Sequence, residues 1–147
     1  MEFEKFVSEA MKTSTIKVTS YDDKIICGFI ENPNLEAALP FRGCPWLISI
    51  LDTLQDALDF PQKTFKLRSF ADTPSPTLEA LEKVEQKPGQ KIIASFRVSI
   101  FYRQNASWQG RIVWDDQARS SSFRSTMELI MLMDSALSCG AAENDKG

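Results

Sequence analysis

A chain of 147 residues, 43% hydrophobic and 25% charged, is long enough to bury one core and has the composition of a globular domain rather than of a disordered segment. A net charge of −3 and a pI near 5.0 weigh against a general binder of nucleic acid or anionic membrane, both of which need a positive field. No apolar run approaches a membrane span, the acidic start MEFEKFVSEAMK has no apolar signal core, and Cys27, Cys44 and Cys139 lack CxxC spacing, which together predict a cytoplasmic protein without disulfide framework or zinc site.

Residues 2–12 set Phe3, Phe6, Val7 and Ala10 at helical spacing and predict a short amphipathic N-terminal helix. TIKVTSYDDKIICGFIEN follows, two β-rich runs around Asp22-Asp23-Lys24 that predict a hairpin. The short run EAALPF carries Pro40, which confines it to an edge strand or an extended lead-in. CPWLISILDTLQDAL then tolerates Pro45 in its first turn and lines up Leu47, Ile50, Leu51, Leu54 and Leu58 as one helical stripe. Residues 59–92 form a linker in which KTFKLRSF could be a strand, ADTPSP is a turn-rich break and TLEALEKVEQ is a short helix stopped by Lys87-Pro88-Gly89.

Even-numbered Ile92, Ala94, Phe96, Val98, Ile100 and Tyr102 alternate with mostly polar neighbours, and Trp108, Gly110, Ile112 and Trp114 do the same. Aligning the two apolar faces sets Tyr102 opposite Gly110, Ile100 opposite Ile112 and Val98 opposite Trp114. That register also sets Arg97 against Asp115, and its counterpart in the first hairpin sets Lys17 against Glu31. The Ser120–Ser122 run is a strand candidate. Ser125 and Glu128 then form a capping box, and Met127 to Leu137 leaves almost no polar side, which predicts a helix over 125–138 that is buried on two faces or meets another chain. Gly140 predicts the helix stop, and 141–147 a disordered tail.

An offset of 82 superposes residues 16–58 on 98–140 without a gap. Gly28/Gly110, Ile30/Ile112, Phe41-Arg42/Phe123-Arg124, Leu47-Ile48/Leu129-Ile130 and Asp52/Asp134 coincide. The expectation is one α+β domain over 1–140, a duplicated β-β-β-α unit whose antiparallel sheet carries helices on one face, with the short N-terminal and linker helices added.

Catalysis has little chemistry to use. There is no histidine, no phosphate-cradling glycine loop, and Asp22-Asp23 and Asp115-Asp116 are adjacent carboxylates of the kind that loops solvate; we expect no enzyme, no cofactor and no metal. Binding residues are sought instead on the second hairpin. Arg97, Phe101, Arg103, Gln104, Asn105, Trp108, Gln109 and Arg111 combine long amides, cations and aromatic rings, a mixture suited to a protein partner or to a stacked base. The alternative is that Trp108 closes the core while Asn105 and Ser107 only make the turn. Arg42 and Arg124, with Asp52 and Asp134, are the charges both copies keep; they predict either structural ion pairs or an anion site near two helix starts.

FRVSIFYRQNASWQGRIVW followed by FRSTMELIMLMDSAL, with IENPNLEAALPF as a fainter echo, resembles the C-terminal part of a group of short bacterial proteins. The resemblance implies a bacterial, cytosolic origin and brings no activity, ligand or catalytic residue. The leading functional expectation is a non-catalytic module that binds a protein partner and associates with a second copy of itself through the last helix and the sheet edges. A binder of single-stranded nucleic acid or nucleotide is the second reading, and a chaperone-like partner of another protein the third.

Overall fold

The structure is a computed structural model that describes residues 12–58, 68–71 and 91–145, with side chains of the last helix described as far as Cys139. Among the described residues six strands form: β1 (Thr13–Asp22), β2 (Ile25–Glu31), β3 (Leu39–Arg42), β4 (Ala94–Tyr102), β5 (Gln109–Trp114) and β6 (Arg119–Phe123). Helix α1 (Cys44–Leu58) follows β3 and helix α2 (Thr126–Asp145) follows β6, while a 3-10 turn at Asp115–Gln117 joins β5 to β6. The strands make one antiparallel sheet in the order β3-β2-β1-β4-β5-β6, so the protein is α+β. The two longest strands lie in the middle, and the short β3, with Pro40, and β6 are the edges, where missing or unpaired amides do least harm.

Alternation decides the faces. Ile16, Val18, Ile26, Ile30, Phe96, Val98, Ile100 and Ile112 point to one side and join Leu47, Ile50, Leu51, Leu54, Leu129 and Met133 in a continuous core, so both helices cover the same face. Gly28 and Gly110 sit at the crowded inner positions. A Cβ on Gly28 would lie 2.0 Å from the Lys17 carbonyl oxygen, and one on Gly110 would lie 2.0 Å from that of Ser99. Phe41 and Phe123 pair directly with these glycines and cover them.

The register of the second hairpin differs by two residues from the one its alternation suggests. Ile100 pairs with Gly110, Val98 with Ile112 and Phe96 with Trp114, and Tyr102 pairs with Gln109 after a bulge between Ile100 and Tyr102. The extra residue turns the strand over: Tyr102, expected inside, is 57% exposed, and Arg103, expected outside, is 4% exposed. β1 carries the same bulge between Val18 and Ser20. The two expected ion pairs survive as diagonal contacts, Lys17 Nζ to Glu31 Oε1 at 3.1 Å and Arg97 Nε to Asp115 Oδ1 at 2.7 Å.

Three further expectations are corrected. Of the two alternatives for helix α2, burial on two faces within the chain does not hold: it buries one face, through Leu129, Met133, Ala136 and Leu137, and leaves Met127 and Met131 73% and 56% exposed. It also continues through Gly140 to Asp145, where a stop and a tail were expected; one glycine among alanines costs an exposed helix only about 1 kcal/mol. Arg68–Ala71, the described end of KTFKLRSF, is not a strand, and the N-terminal helix, the linker helix and the rest of that run lie outside the described residues. The capping box is present with a shift. Ser125 Oγ accepts the Glu128 amide at 3.1 Å, but the Glu128 carboxylate overshoots the cap and accepts the Arg124 backbone amide at 2.8 Å together with the Arg124 guanidinium.

Candidate functional site

The face opposite the helices is built, on the central strands up to their bulges, from the odd-numbered residues, and none of them is buried. Three rows run across it. Glu31, Thr15, Arg97, Val113 and Ser120 are successive partners on β2, β1, β4, β5 and β6; Pro40, Phe29, Lys17 and Ser95 form the row on one side, and Thr13, Ser99, Arg111 and Ser122 the row on the other. The bulge of β4 adds Phe101 and Tyr102 at the end of the third row, 39% and 57% exposed. Arg111 donates to Ser120 Oγ at 2.8 Å, and both ion pairs on this face are half-open to water, so their mutual attraction is screened and the charges remain usable by a partner.

The residues sought on the second hairpin divide between two locations. Arg97, Phe101 and Arg111 are on the open face, and Gln104 and Asn105 are exposed at the hairpin tip. Gln109 is spent on the loop: its Oε1 accepts the Gln104 amide at 3.2 Å and its Nε2 donates to the Gln104 carbonyl at 3.1 Å. Trp108 is 5% exposed in the core, while Asn105 and Ala106, both at positive φ, and the Ser107 amide bonded to the Gln104 carbonyl make the reversal. Ser107 Oγ also accepts the Thr126 amide at 2.9 Å, fastening the tip to the start of α2.

Arg103 belongs to the interior. Its Nη1 donates to Asp56 Oδ1 at 2.7 Å and to Asp52 Oδ1 at 3.4 Å, so the residue that directly follows β4 holds α1. The residue 82 positions earlier, Tyr21, does the same from β1: its hydroxyl donates to Asp134 Oδ1 of α2 at 2.5 Å, and Lys24 adds an ion pair at 3.3 Å. Burial and the Asp134 carboxylate push the Tyr21 phenol up to about 12, while the Tyr21 and Lys24 bonds hold Asp134 below the usual carboxylate range. Burial, with the Asp134 charge behind it, also raises the Cys44 thiol, which disfavours the thiolate there.

No family model, curated protein or solved structure matches the chain.

Asp52 and Asp134 therefore accept from the strand ends Arg103 and Tyr21, not from Arg42 and Arg124. Arg42 ends β3 and Arg124 directly follows β6, the two edges of the sheet, so five strand spacings or roughly 24 Å lie between them and no single anion touches both. Arg124 is held by Glu128, whose carboxyl is lowered to about 2 by the guanidinium and by the Arg124 amide. Among the described residues no helix is long and apolar enough to cross a membrane. The sequence reading missed Lys17, Phe29, Tyr102 and Val113. The alternation of the first hairpin carries the signal for Phe29 and Lys17; Tyr102 is hidden by the bulge.

Proposed function

We propose that this chain is a non-catalytic protein-binding module that grips its partner with the open face of the sheet. The observation that carries the reading is the composition of that face: Phe29, Phe101 and Tyr102 stand beside Lys17, Arg97 and Arg111 on a surface where no residue is buried. A sheet face made only for water carries Thr, Ser, Lys and Glu; aromatic rings mixed with arginine are the composition of contact surfaces. A chaperone-like hold on another protein is one form of this function. Association with a second copy is supported separately by the exposed Met127 and Met131, one turn apart on α2. The free thiols Cys27, Cys44 and Cys139 fit a reducing cytoplasm, and the resemblance of the second hairpin supports a bacterial origin.

The test is photo-crosslinking from single positions in native cytosol. A benzophenone side chain at Phe101 or Val113 is expected to trap one discrete partner, and the same group at Ser49, exposed on α1 in the helix layer and away from Met127 and Met131, is not. Equal trapping from both layers overturns the reading. Sedimentation at ~100 µM, a concentration at which even weak self-association shows, examines the second copy; a strict monomer removes it.

Single-stranded nucleic acid or a nucleotide remains the second reading, favoured by Phe101 at the end of the row that holds Arg111, with Arg97 one row back on the same face. It has lost Arg103 and Trp108 to the core. Salt-sensitive fluorescence anisotropy of a labelled oligonucleotide at low ionic strength would revive it.

We also infer that the two halves descend from one β-β-β-α unit. Support comes from register: adding 82 to Ile16↔Ile30, Val18↔Gly28 and Gly28↔Phe41 produces Val98↔Ile112, Ile100↔Gly110 and Gly110↔Phe123, bulge included. The central pairing exchanges with itself, since Ser14↔Val98 becomes Phe96↔Ile16 under the same offset. Thr15 and Arg97, paired with each other, then mark an approximate dyad.

A further inference from the structure

On the helix side of the sheet, a groove of about 340 Å³ opens between α2 and strands β4 to β6, with Phe96, Ile112 and Trp114 as its floor and Leu132, Ala136 and Cys139 as its roof. At the matching positions of the other half, around Ser14, Asn32 and Leu54, the space described is only about 20 Å³. There, 82 residues earlier, Leu39 stands for Ser121 and Leu54 for Ala136, and both leucines are buried at 1% and 2% exposure. Two branched side chains that fill one half are thus replaced by a hydroxymethyl and a methyl in the other, which leaves the roof and rim of the groove open above the larger Phe96 and Trp114.

Its serine hydroxyls are satisfied, Ser120 by Arg111, Ser121 by the Ser122 carbonyl and Ser135 by the Leu132 carbonyl, but two other polar side chains are not. The Trp114 indole Nε1–H is buried and has no acceptor. Arg119, the cross-strand partner of Trp114 on β6, lines the same groove, and its guanidinium makes no hydrogen bond or ion pair among the described residues. A buried donor left without an acceptor is costly, and the indole N–H together with the exposed guanidinium carried at the paired position on β6 supplies two donors to an anionic acceptor in this groove. A ligand that satisfied both would carry its charge at the Trp114–Arg119 end and its apolar part along Phe96, Ile112, Leu132 and Ala136.

We propose that this groove binds a small amphiphilic carboxylate, such as a medium-chain fatty acid. At the liquid-water packing of roughly 30 Å³ per heavy atom, the space takes about eleven non-hydrogen atoms, the size of nonanoate, and the volume lies at the lower end of small-molecule sites. The groove is on the opposite side of the sheet from the protein-binding face proposed above, and either assignment can fail without the other.

The probes are nonanoate and its neutral counterpart nonan-1-ol, titrated into the full chain by calorimetry and followed by the three indole N–H resonances. A dissociation constant on the order of 100 µM is expected for nonanoate, in keeping with a ligand of this size, and only the Trp114 resonance should shift strongly. Arg119→Gln should weaken nonanoate about tenfold and leave nonan-1-ol unchanged, a loss of one charge-assisted contact. Ala136→Leu, or Ser121→Leu should the first not fold, restores the leucine of the filled half and should abolish binding of both probes. The proposal is overturned by no heat and no Trp114 shift at ~5 mM nonanoate, by shifts confined to Trp46 or Trp108, or by undiminished binding in a folded leucine variant.

Discussion

Replacing Arg103 by methionine keeps the length and apolar stem of the side chain and removes its charge. Arg103 has a side-chain exposure of 3% and bonds Asp56 at 2.7 Å and Asp52 at 3.4 Å. Removing one member of a fully buried pair costs about 3–5 kcal/mol, because the other charge is stranded out of water. Here the carboxylates retain 19% and 43% of their exposure, so water recovers part of the loss and we expect about 2–3 kcal/mol. For a chain of this length that is a drop in Tm of roughly 5–10 °C. Urea unfolding should show a lower midpoint at an unchanged m value, and adding Asp56→Asn to Arg103→Met should recover part of it. The neighbouring Tyr102→Thr, at an exposed position, should stay within about 0.5 kcal/mol. If instead Arg103→Met is neutral and Tyr102→Thr costs more than about 2 kcal/mol, the bulge is absent and the strand keeps its simple alternation.

Gly110→Ala places a Cβ 2.0 Å from the Ser99 carbonyl oxygen, against an ordinary contact of 3.4 Å or more, so β4 and β5 must part; thermal melts should show a loss of about 3 kcal/mol or the absence of a folded state. The Tyr21 phenol, raised from 10.0 to about 12 in the folded chain, stabilises the fold fully below pH 10 and progressively less as pH rises through about 12, since the unfolded phenol loses its proton first. Phenolate absorbance should therefore titrate late in the native protein, and Tyr21→Phe should flatten the alkaline limb of the stability profile; an unchanged limb would assign it elsewhere. Ser125→Ala removes the acceptor of the Glu128 amide and should cost about 1 kcal/mol by denaturant titration, with helix content otherwise preserved.

The strands, both described helices and their order were legible because a period of two and a period near three and a half are properties of local sequence. Asp22-Asp23-Lys24 marked the first reversal, Pro40 marked an edge, and the offset of 82 matched positions whose registers coincide. The register of the second hairpin was not legible. Phe96 to Tyr102 alternate smoothly in sequence, and a bulge leaves no hydrophobic signature of its own, only a reversal of which residue faces inward. That single insertion moved Arg103 from the proposed contact surface to the core and put Tyr102 in its place. Trp108 was ambiguous for a different reason: an indole near a hairpin tip suits a ligand or a core equally, and only the position of α2 decides. The groove beside Trp114 left a trace in the mismatches Leu39/Ser121 and Leu54/Ala136, which stand out once the matched positions are compared for size rather than identity.

The crossed fastening of the helices has a consequence for how the molecule comes apart. Because α1 is held by Arg103 of the later strands and α2 by Tyr21 of the earlier ones, a cut anywhere between Leu58 and Lys91 severs the chain without releasing either half from the other. Neither piece made alone has its own clasp, so each should stay unfolded until its complement is added, and reconstitution from two fragments should be the rule for this protein rather than independent folding of its halves.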